Sequence, residues 1–484
     1  MEYEAVIGLE VHAQVHTKSK MYCPCPVVED VGTLPANTYV CPICLALPGT
    51  LPVVNRRAVE YGIMTALALH CTVEPLNVFS RKSYFYPDLP KGYQISQYDL
   101  PLSQHGYLEI ETAAGTKKIG ITRVHLEEDT AKIYHVGPKA LIDFNRAGVP
   151  LLEIVSEPDL RTIDEIKAYA NALHDILVYL GVNSGDMEKG EMRFEANVSI
   201  RPKGSTTLGT RTEVKNLNSF RALARSVEYE IQRQTAVLES GGKIIQQTMG
   251  WDEVKGETFA QRSKEQAHDY RYFPEPDIPP LEVSAEWTAR LAGDMPELPM
   301  EKLHRLMNDY NIRRSEAELL IVDRAVADYF EQTAKLGQEQ QIPPQECANW
   351  ITGEIFRLLN ETHKTFTAEL VPAPRLIALL ALRQKGTLSS TAAKTVMETL
   401  FTSGEEPSVI VDRLGLAQIS DEDALTAIVQ QVIAANPTQV GQYLQGKNVL
   451  GWFVGQIMKA SGGKANPARV QELVRLYLEQ QRSS

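Results

Sequence analysis

Cysteine is scarce: six in 484 residues, too few for a disulfide scaffold, which makes a reducing cytoplasm the expected setting. Long apolar runs are missing, and none reaches a membrane span, so no membrane association is expected. The opening Met1-Glu2-Tyr3-Glu4 lacks the basic, apolar and small-residue order of a secretory signal. Neither a G-x-x-x-x-G-K-[ST] nor a G-x-G-x-x-G motif occurs, which excludes the common glycine-rich phosphate loops. Positive charge is also short. The net charge of -12 argues against coating by nucleic acid over the whole surface, but a local basic patch is compatible with it. What is present is an ordinary globular composition in a chain long enough for about two to four domains.

The stretch Ile7-Gly8-Leu9-Glu10-Val11-His12-Ala13-Gln14-Val15-His16 alternates strictly. Ile7, Leu9, Val11, Ala13 and Val15 fall on one face and Glu10, His12, Gln14 and His16 on the other, the period of a half-buried strand. Glu10 and His12 therefore point the same way, close enough to share a metal ion or a proton. A solvated strand face is the plainer reading.

Two cysteine pairs follow, Cys23-Pro24-Cys25 and Cys41-Pro42-Ile43-Cys44. This spacing is that of a zinc knuckle, each pair giving two thiolates to a tetrahedron. Four thiolates leave no open position, so such a zinc is structural. Cys71 and Cys347 are isolated and read as small buried hydrophobes.

Asn55 to Leu69 carries the pattern of an amphipathic helix. Arg81 to Gln97 mixes aromatics, prolines and basic residues and reads as an ordered loop. Its Lys82, Lys91 and tyrosines, Tyr86 among them, suit an anionic or planar ligand. In Ile119 to Ile133 the triplet Glu127-Glu128-Asp129 interrupts an apolar stretch, which is costly without partners or metal. Strand alternation leaves open which acid faces Glu10 and His12. Thr162 and Glu165 make a capping box for a helix ending at Gly181.

Met192 to Arg201 is a second alternating strand, with Arg193, Glu195, Asn197, Ser199 and Arg201 on its polar face. An acid between two arginines suits phosphate and metal better than a random solvent face. Arg211, Glu213 and Lys215 continue the theme, and Asn216 to Ser219 caps a long helix. After Pro299 the pattern turns helical: Ala317 to Leu336, Pro344 to Asn360, Pro374 to Lys385 and Ala392 to Leu400. From Pro437 onward six Lys/Arg, including Lys447, Lys459 and Lys464, face two acids. That reversal of sign on an acidic chain marks a local basic patch suited to nucleic acid.

Several blocks in one order carry a resemblance. They are Ile7 to His12, Tyr84 to Gln97, His125 to Lys132, Asp143 to Leu151, Glu213 to Phe220, Asp269 to Asp277 and Val454 to Lys459. On them the chain resembles the GatB/GatE family, the B subunits of bacterial aspartyl/glutamyl-tRNA(Asn/Gln) amidotransferases. The resemblance spans nearly the whole chain. It implies an α+β architecture: a catalytic cradle over 1–294, similar to the glutamine synthetase/guanido kinase core, a helical domain over 295–411 and a YqeY-like helical tail over 412–484 that binds tRNA, with Lys447, Lys459 and Lys464 as its expected contacts. It implies ATP- and Mg²⁺-dependent phosphorylation of the side-chain carboxylate of Glu on tRNA(Gln) or Asp on tRNA(Asn), then displacement by ammonia. No Ser-rich glycine loop of an amidase is found in this chain, so ammonia is expected from a partner. The implied partners are the amidase subunit GatA, the small subunit GatC and the misacylated tRNA. The implied catalytic set is Glu10, His12, Glu128 and Glu195, with Glu128 favoured over Glu127 as the magnesium ligand beside Glu10 and His12. Lys82, Tyr86, Lys91, Arg193, Asn197, Arg201 and Lys215 are the expected substrate and ATP contacts. Family members often have Asp where Glu195 stands, and only part of the family has the four cysteines. A zinc-containing tRNA-binding protein without catalysis is the alternative, and it leaves both polar strand faces unexplained.

Overall fold

The structure is a computed structural model that describes residues 2–28, 34–261, 270–418, 422–462 and 464–482. Met1 and Asp269, both noted above, lie outside the described residues. The chain divides into two units, Met1–Pro299 and Met300–Ser484.

The first unit is built outward from the alternating stretch, which forms β1 (Tyr3–Gln14). The later strands used below are β2 (Thr72–Val73), β3 (Ser80–Ser83), β4 (Tyr93–Ser96), β5 (Ser103–Thr112), β6 (Gly115–Glu128), β7 (Pro150–Ser156), β8 (Met192–Pro202), β9 (Thr212–Leu217), β10 (Thr248–Asp252), β11 (Glu257–Ala260) and β12 (Phe273–Pro274). Nine of them make one sheet, in the order β11-β10-β9-β8-β1-β7-β6-β5-β2. Pairing is antiparallel except between β9 and β10.

One face of this sheet is the core. Ile7, Leu9 and Val11 of β1 and Met192, Phe194, Ala196 and Val198 of β8 are buried there. Helices α1 (Arg56–Ala68), α2 (Ile163–Tyr179) and α3 (Phe220–Glu239) supply Ile63, Tyr169, Leu173, Leu177, Leu223 and Val227 to the same cluster. Each large side chain so buried stabilises by about 1.5–3 kcal/mol. The three helices begin where the sequence puts caps. Asn55 accepts from the Arg57 and Ala58 N–H groups, Thr162 from Glu165 N–H and Ser219 from Ala222 N–H. Glu165 returns the contact to Arg161 N–H rather than to the cap residue itself. With helices on one face, the polar face is left for chemistry.

Three local expectations are corrected. Arg81 to Gln97 is not all loop: β3 and β4 pair as a short hairpin, and β12 adds to β3. Arg81 clamps this small sheet through Glu275 and Asp277. Asn216 does not cap α3. It sits inside β9 at φ 59°, where Lys215 and Asn216 together face the single residue Glu195 of β8 as a bulge, and Asn tolerates that left-handed backbone better than most residues. The helix read over Ala317 to Leu336 is two, Arg314–Leu320 and Arg324–Glu339, because Asp323 caps the second through Ala325 N–H.

The second unit is helical. Helices Pro344–Trp350 and Phe356–Thr362 join through a π turn, and Ala373–Gln384 and Ser390–Ser403 follow near the expected positions. Leu425, Val429, Phe453, Ile457, Val470 and Val474 form a separate small core among the last helices. No described helix is long and apolar enough to cross a membrane.

Candidate active site and cysteine cluster

The polar face of the sheet collects charge from five adjacent strands. Register sets the neighbours: Glu10 lies opposite Glu195, His12 lies between Arg193 and Glu153, and Glu153 lies opposite His125. Two groups result whose ligand atoms all lie within 4.8 Å of one another. One is Glu10, Glu195 and Glu213; the other is His12, Glu127 and Glu153.

The all-carboxylate group is crowded with like charge. Burial raises the Glu10 pKa above the ordinary carboxylate value, and the charges of Glu153, Glu195 and Glu213 push it further. Asn197 donates to Glu10 Oε1 at 2.8 Å. The β9 bulge brings Lys215 Nζ to 2.9 Å from Glu195 Oε2. Burial opposes charge on Glu195, but Lys215 and His12 overcome it and hold its pKa low.

The histidine-containing group is balanced. His12 Nε2 is 3.4 Å from Glu153 Oε2, and His125 Nε2 lies 3.4 Å from Glu127 and 3.5 Å from Glu153. Burial works against charge on Glu153, yet His125 and His12 hold its pKa well below the usual range. Glu127 is likewise lowered against its burial, chiefly by Lys82. Burial opposes charge on His12 and Lys82 as well, but Glu153 raises the first and Glu127 the second. Lys82 also sits 5.2 Å from the Tyr270 ring.

Of the residues expected from sequence, the face unites Glu10, His12, Glu195, Asn197, Lys215, Lys82 and Arg193. The last is 3.5 Å from Asp129, which also accepts from Gln14. Glu128 is corrected. It lies on the opposite side of β6 from His125 and Glu127, as alternation requires. Its carboxylate takes Lys91 Nζ and Ile95 N–H, so neither Glu128 nor Lys91 joins the Glu10/His12 set. Arg201 pairs with Glu4 toward the other end of β1, and Tyr86 is exposed on the β3–β4 loop. Sequence reasoning misses Glu153 and puts Glu213 in the phosphate-and-metal pattern without naming it a ligand. The signal for Glu153 is a lone acid in the apolar run Val149-Pro150-Leu151-Leu152-Glu153-Ile154-Val155.

Away from the sheet face, Cys23, Cys25, Cys41 and Cys44 converge with all four sulfurs within 4.8 Å of one another. They are free thiols in this structure. Hydrogen bonding from Cys23 lowers the Cys44 pKa to about 5, with smaller help from the Cys41 backbone and Lys20. Four convergent sulfurs, one favoured as thiolate, fit a tetrahedral soft-metal site. Further along the chain, Lys447, Lys459 and Lys464 are exposed on the last helical segment.

The chain is similar to known proteins over nearly its whole length. Residues 5–289 match the GatB/GatE catalytic domain and residues 328–478 the GatB domain. The chain is 52% identical over 480 residues to the aspartyl/glutamyl-tRNA(Asn/Gln) amidotransferase B subunit of Moorella thermoacetica, covering 98% of this chain and 99% of that protein. It is 50% identical to the proteins of the same name from Carboxydothermus hydrogenoformans, over 98% of each chain, and from Myxococcus xanthus, over 99% of each. The chain therefore belongs to the GatB/GatE family, as a B subunit of a tRNA-dependent amidotransferase.

Proposed function

We propose that the polar sheet face phosphorylates a side-chain carboxylate of an amino acid misacylated on tRNA, Glu on tRNA(Gln) or Asp on tRNA(Asn), at the expense of ATP. Ammonia then displaces phosphate and leaves the amide. One observation carries the reading: two adjacent groups of ligand atoms, rich in buried carboxylates, share one face of a sheet. Buried like charges of this kind call for cations.

Glu10, Glu195 and Glu213 would hold one Mg²⁺, and His12, Glu127 and Glu153 a second divalent ion. Such ions supply neutralisation of phosphoryl oxygens during transfer. Imidazole suits softer divalent ions better than Mg²⁺, so the second group is the less selective. The chain's own side chains do the rest. Lys82 and Lys215 flank the two groups and place positive charge where phosphoryl oxygens must lie. Asn197 fixes the Glu10 carboxylate, and Glu153 with His125 behind it fixes the imidazole of His12.

Ammonia is supplied by a partner amidase, GatA, with GatC completing the complex; the subunit names of the relatives support an assembly of this kind. The cysteine cluster holds a structural Zn²⁺. The catalytic cradle covers 1–294 and a helical domain 295–411. A tRNA-binding tail covers 412–484, a division supported by the separate core of the last helices.

The test is Glu10→Gln in the assembled complex. ATP-dependent amidation of misacylated tRNA should fall by about 10²–10³ or more, while glutamine hydrolysis by the partner persists. Normal Gln-tRNA or Asn-tRNA synthesis by this variant would sink the assignment.

A further inference from the structure

Lys20 is 1% exposed, yet it is a lysine. Its ammonium donates to the carbonyls of Tyr39 at 2.9 Å and Phe144 at 3.2 Å, and it lies 3.7 Å from Cys44 Sγ. Its backbone N–H donates to the Cys25 carbonyl at 2.9 Å. Among the described residues no carboxylate stands within ion-pair distance of it. A buried ammonium with no anion is costly, and the atom it touches that becomes an anion on binding metal is the Cys44 sulfur.

The two ends of this residue serve different halves of one cluster. Its backbone holds the first cysteine pair through Cys25. Its side chain holds the second pair through Cys44 and through Tyr39, two residues before Cys41. The same ammonium reaches Phe144, in a segment laced to the second pair by Asn145, whose Oδ1 accepts Tyr39 N–H at 2.8 Å. Four thiolates outweigh a divalent cation by two negative charges, and such an excess in a buried site needs compensation.

We infer that Lys20 is the counter-cation and clamp of the four-cysteine site. It offsets one excess thiolate charge at Cys44 and ties the two cysteine pairs into one ligand set. The inference rests on reading the four cysteines as a metal site, and it makes Lys20 a positioning residue rather than a catalytic one.

The experiment uses the complex assembled with its partner subunits, as wild type, Lys20→Met and Lys20→Arg. Zinc content is measured by atomic emission, and zinc loss by the rate of transfer to a chromogenic chelator. Lys20→Met, close in length and neutral, should release zinc at least about ten-fold faster, with Lys20→Arg in between. Release within two-fold of wild type would overturn the inference. Melting of zinc-loaded and zinc-stripped protein separates charge compensation from plain packing. Lys20→Met should lower the melting temperature more when zinc is bound, and an equal drop in both forms overturns the counter-charge role. If Lys20→Met does not accumulate as folded protein, Lys20→Gln replaces it. Lys20→Arg must then retain zinc longer than Lys20→Gln, and equal retention overturns the inference. Wild-type protein without zinc after growth in zinc-replete medium would defeat the reading of the cysteines themselves, a failure distinct from that of Lys20.

Discussion

Glu10, Glu195 and Glu213 bring three carboxylates together with Lys215 at their edge, whereas His12, Glu127 and Glu153 have His125 and Lys82 beside them. Both groups stand on the same sheet face, and both are largely removed from water. Their charge balance differs. Burial and three like charges push the Glu10 pKa up, while two imidazoles hold Glu153 far down against its burial. Within the first group Glu10 gains most from a bound cation, since Lys215 already offsets the charge of Glu195. The second is largely compensated by the protein, so metal there adds chemistry more than it rescues the fold.

The largest effect that sharpens this contrast separates two neighbouring acids. Glu127→Gln should lower ATP-dependent amidation by about 10²–10³, because it removes an oxygen of the histidine group. Glu128→Gln, on the other side of the strand, should cost less than about ten-fold, seen mainly as lost stability. Equal losses in kcat/KM would return Glu128 to the reacting centre and dissolve the grouping.

A smaller effect tests the charge balance directly, in protein freed of divalent cations. The Glu10 pKa is raised in the folded state, so its contribution to stability is full at acid pH and is lost as pH rises through the folded value. Glu10→Gln removes that loss and should raise the melting temperature by a few degrees at neutral pH, with no gain near pH ~4. The Glu153 pKa is depressed, so its contribution is present above the ordinary carboxylate value and is lost as pH falls through the folded one. Glu153→Gln should therefore lower the melting temperature at neutral pH by several degrees, a difference that closes in acid. Scanning calorimetry across pH checks both. The same sign for the two variants at neutral pH would break the comparison.

The smallest effect on chemistry lies outside both groups. Neutralising Lys459 and Lys464 should flatten the salt dependence of tRNA binding by up to about one unit of slope for each phosphate no longer neutralised. Turnover at saturating tRNA should hardly change. An unaltered slope would take these residues out of the tRNA interface and leave the sheet face as the main tRNA contact.

Much of the fold is written locally. Alternation in Ile7 to Val15 and Met192 to Arg201 has the period of a strand, so the buried and polar faces of β1 and β8 are legible in the chain itself. Asn55, Thr162 and Ser219 begin their helices because a short side chain meets N–H groups two or three residues on. The cysteine spacing likewise brings four sulfurs together through short loops. Local pattern is not enough for the Arg81 to Gln97 hairpin, whose four-residue strands pair only with each other and with β12. It also hides the bulge at Asn216, which exists only relative to β8. Alternation along one strand does not say which face meets β1, and the preference for Glu128 over Glu127 comes from the resemblance alone.

By itself, then, the sequence determined the two alternating strands, the caps of the first three helices and the cysteine quartet. These depend on patterns of short range, the longest being the loop between the two cysteine pairs. Only the tertiary structure decided that Glu153 and Glu213 complete two separate groups, that Glu127 rather than Glu128 belongs to one of them, and that Lys20 stands beside Cys44. The sheet partners are brought together by strand register and by the bulge in β9, and Lys20 is seated from 124 residues away by the Phe144 carbonyl. Such contacts form only when the whole sheet closes.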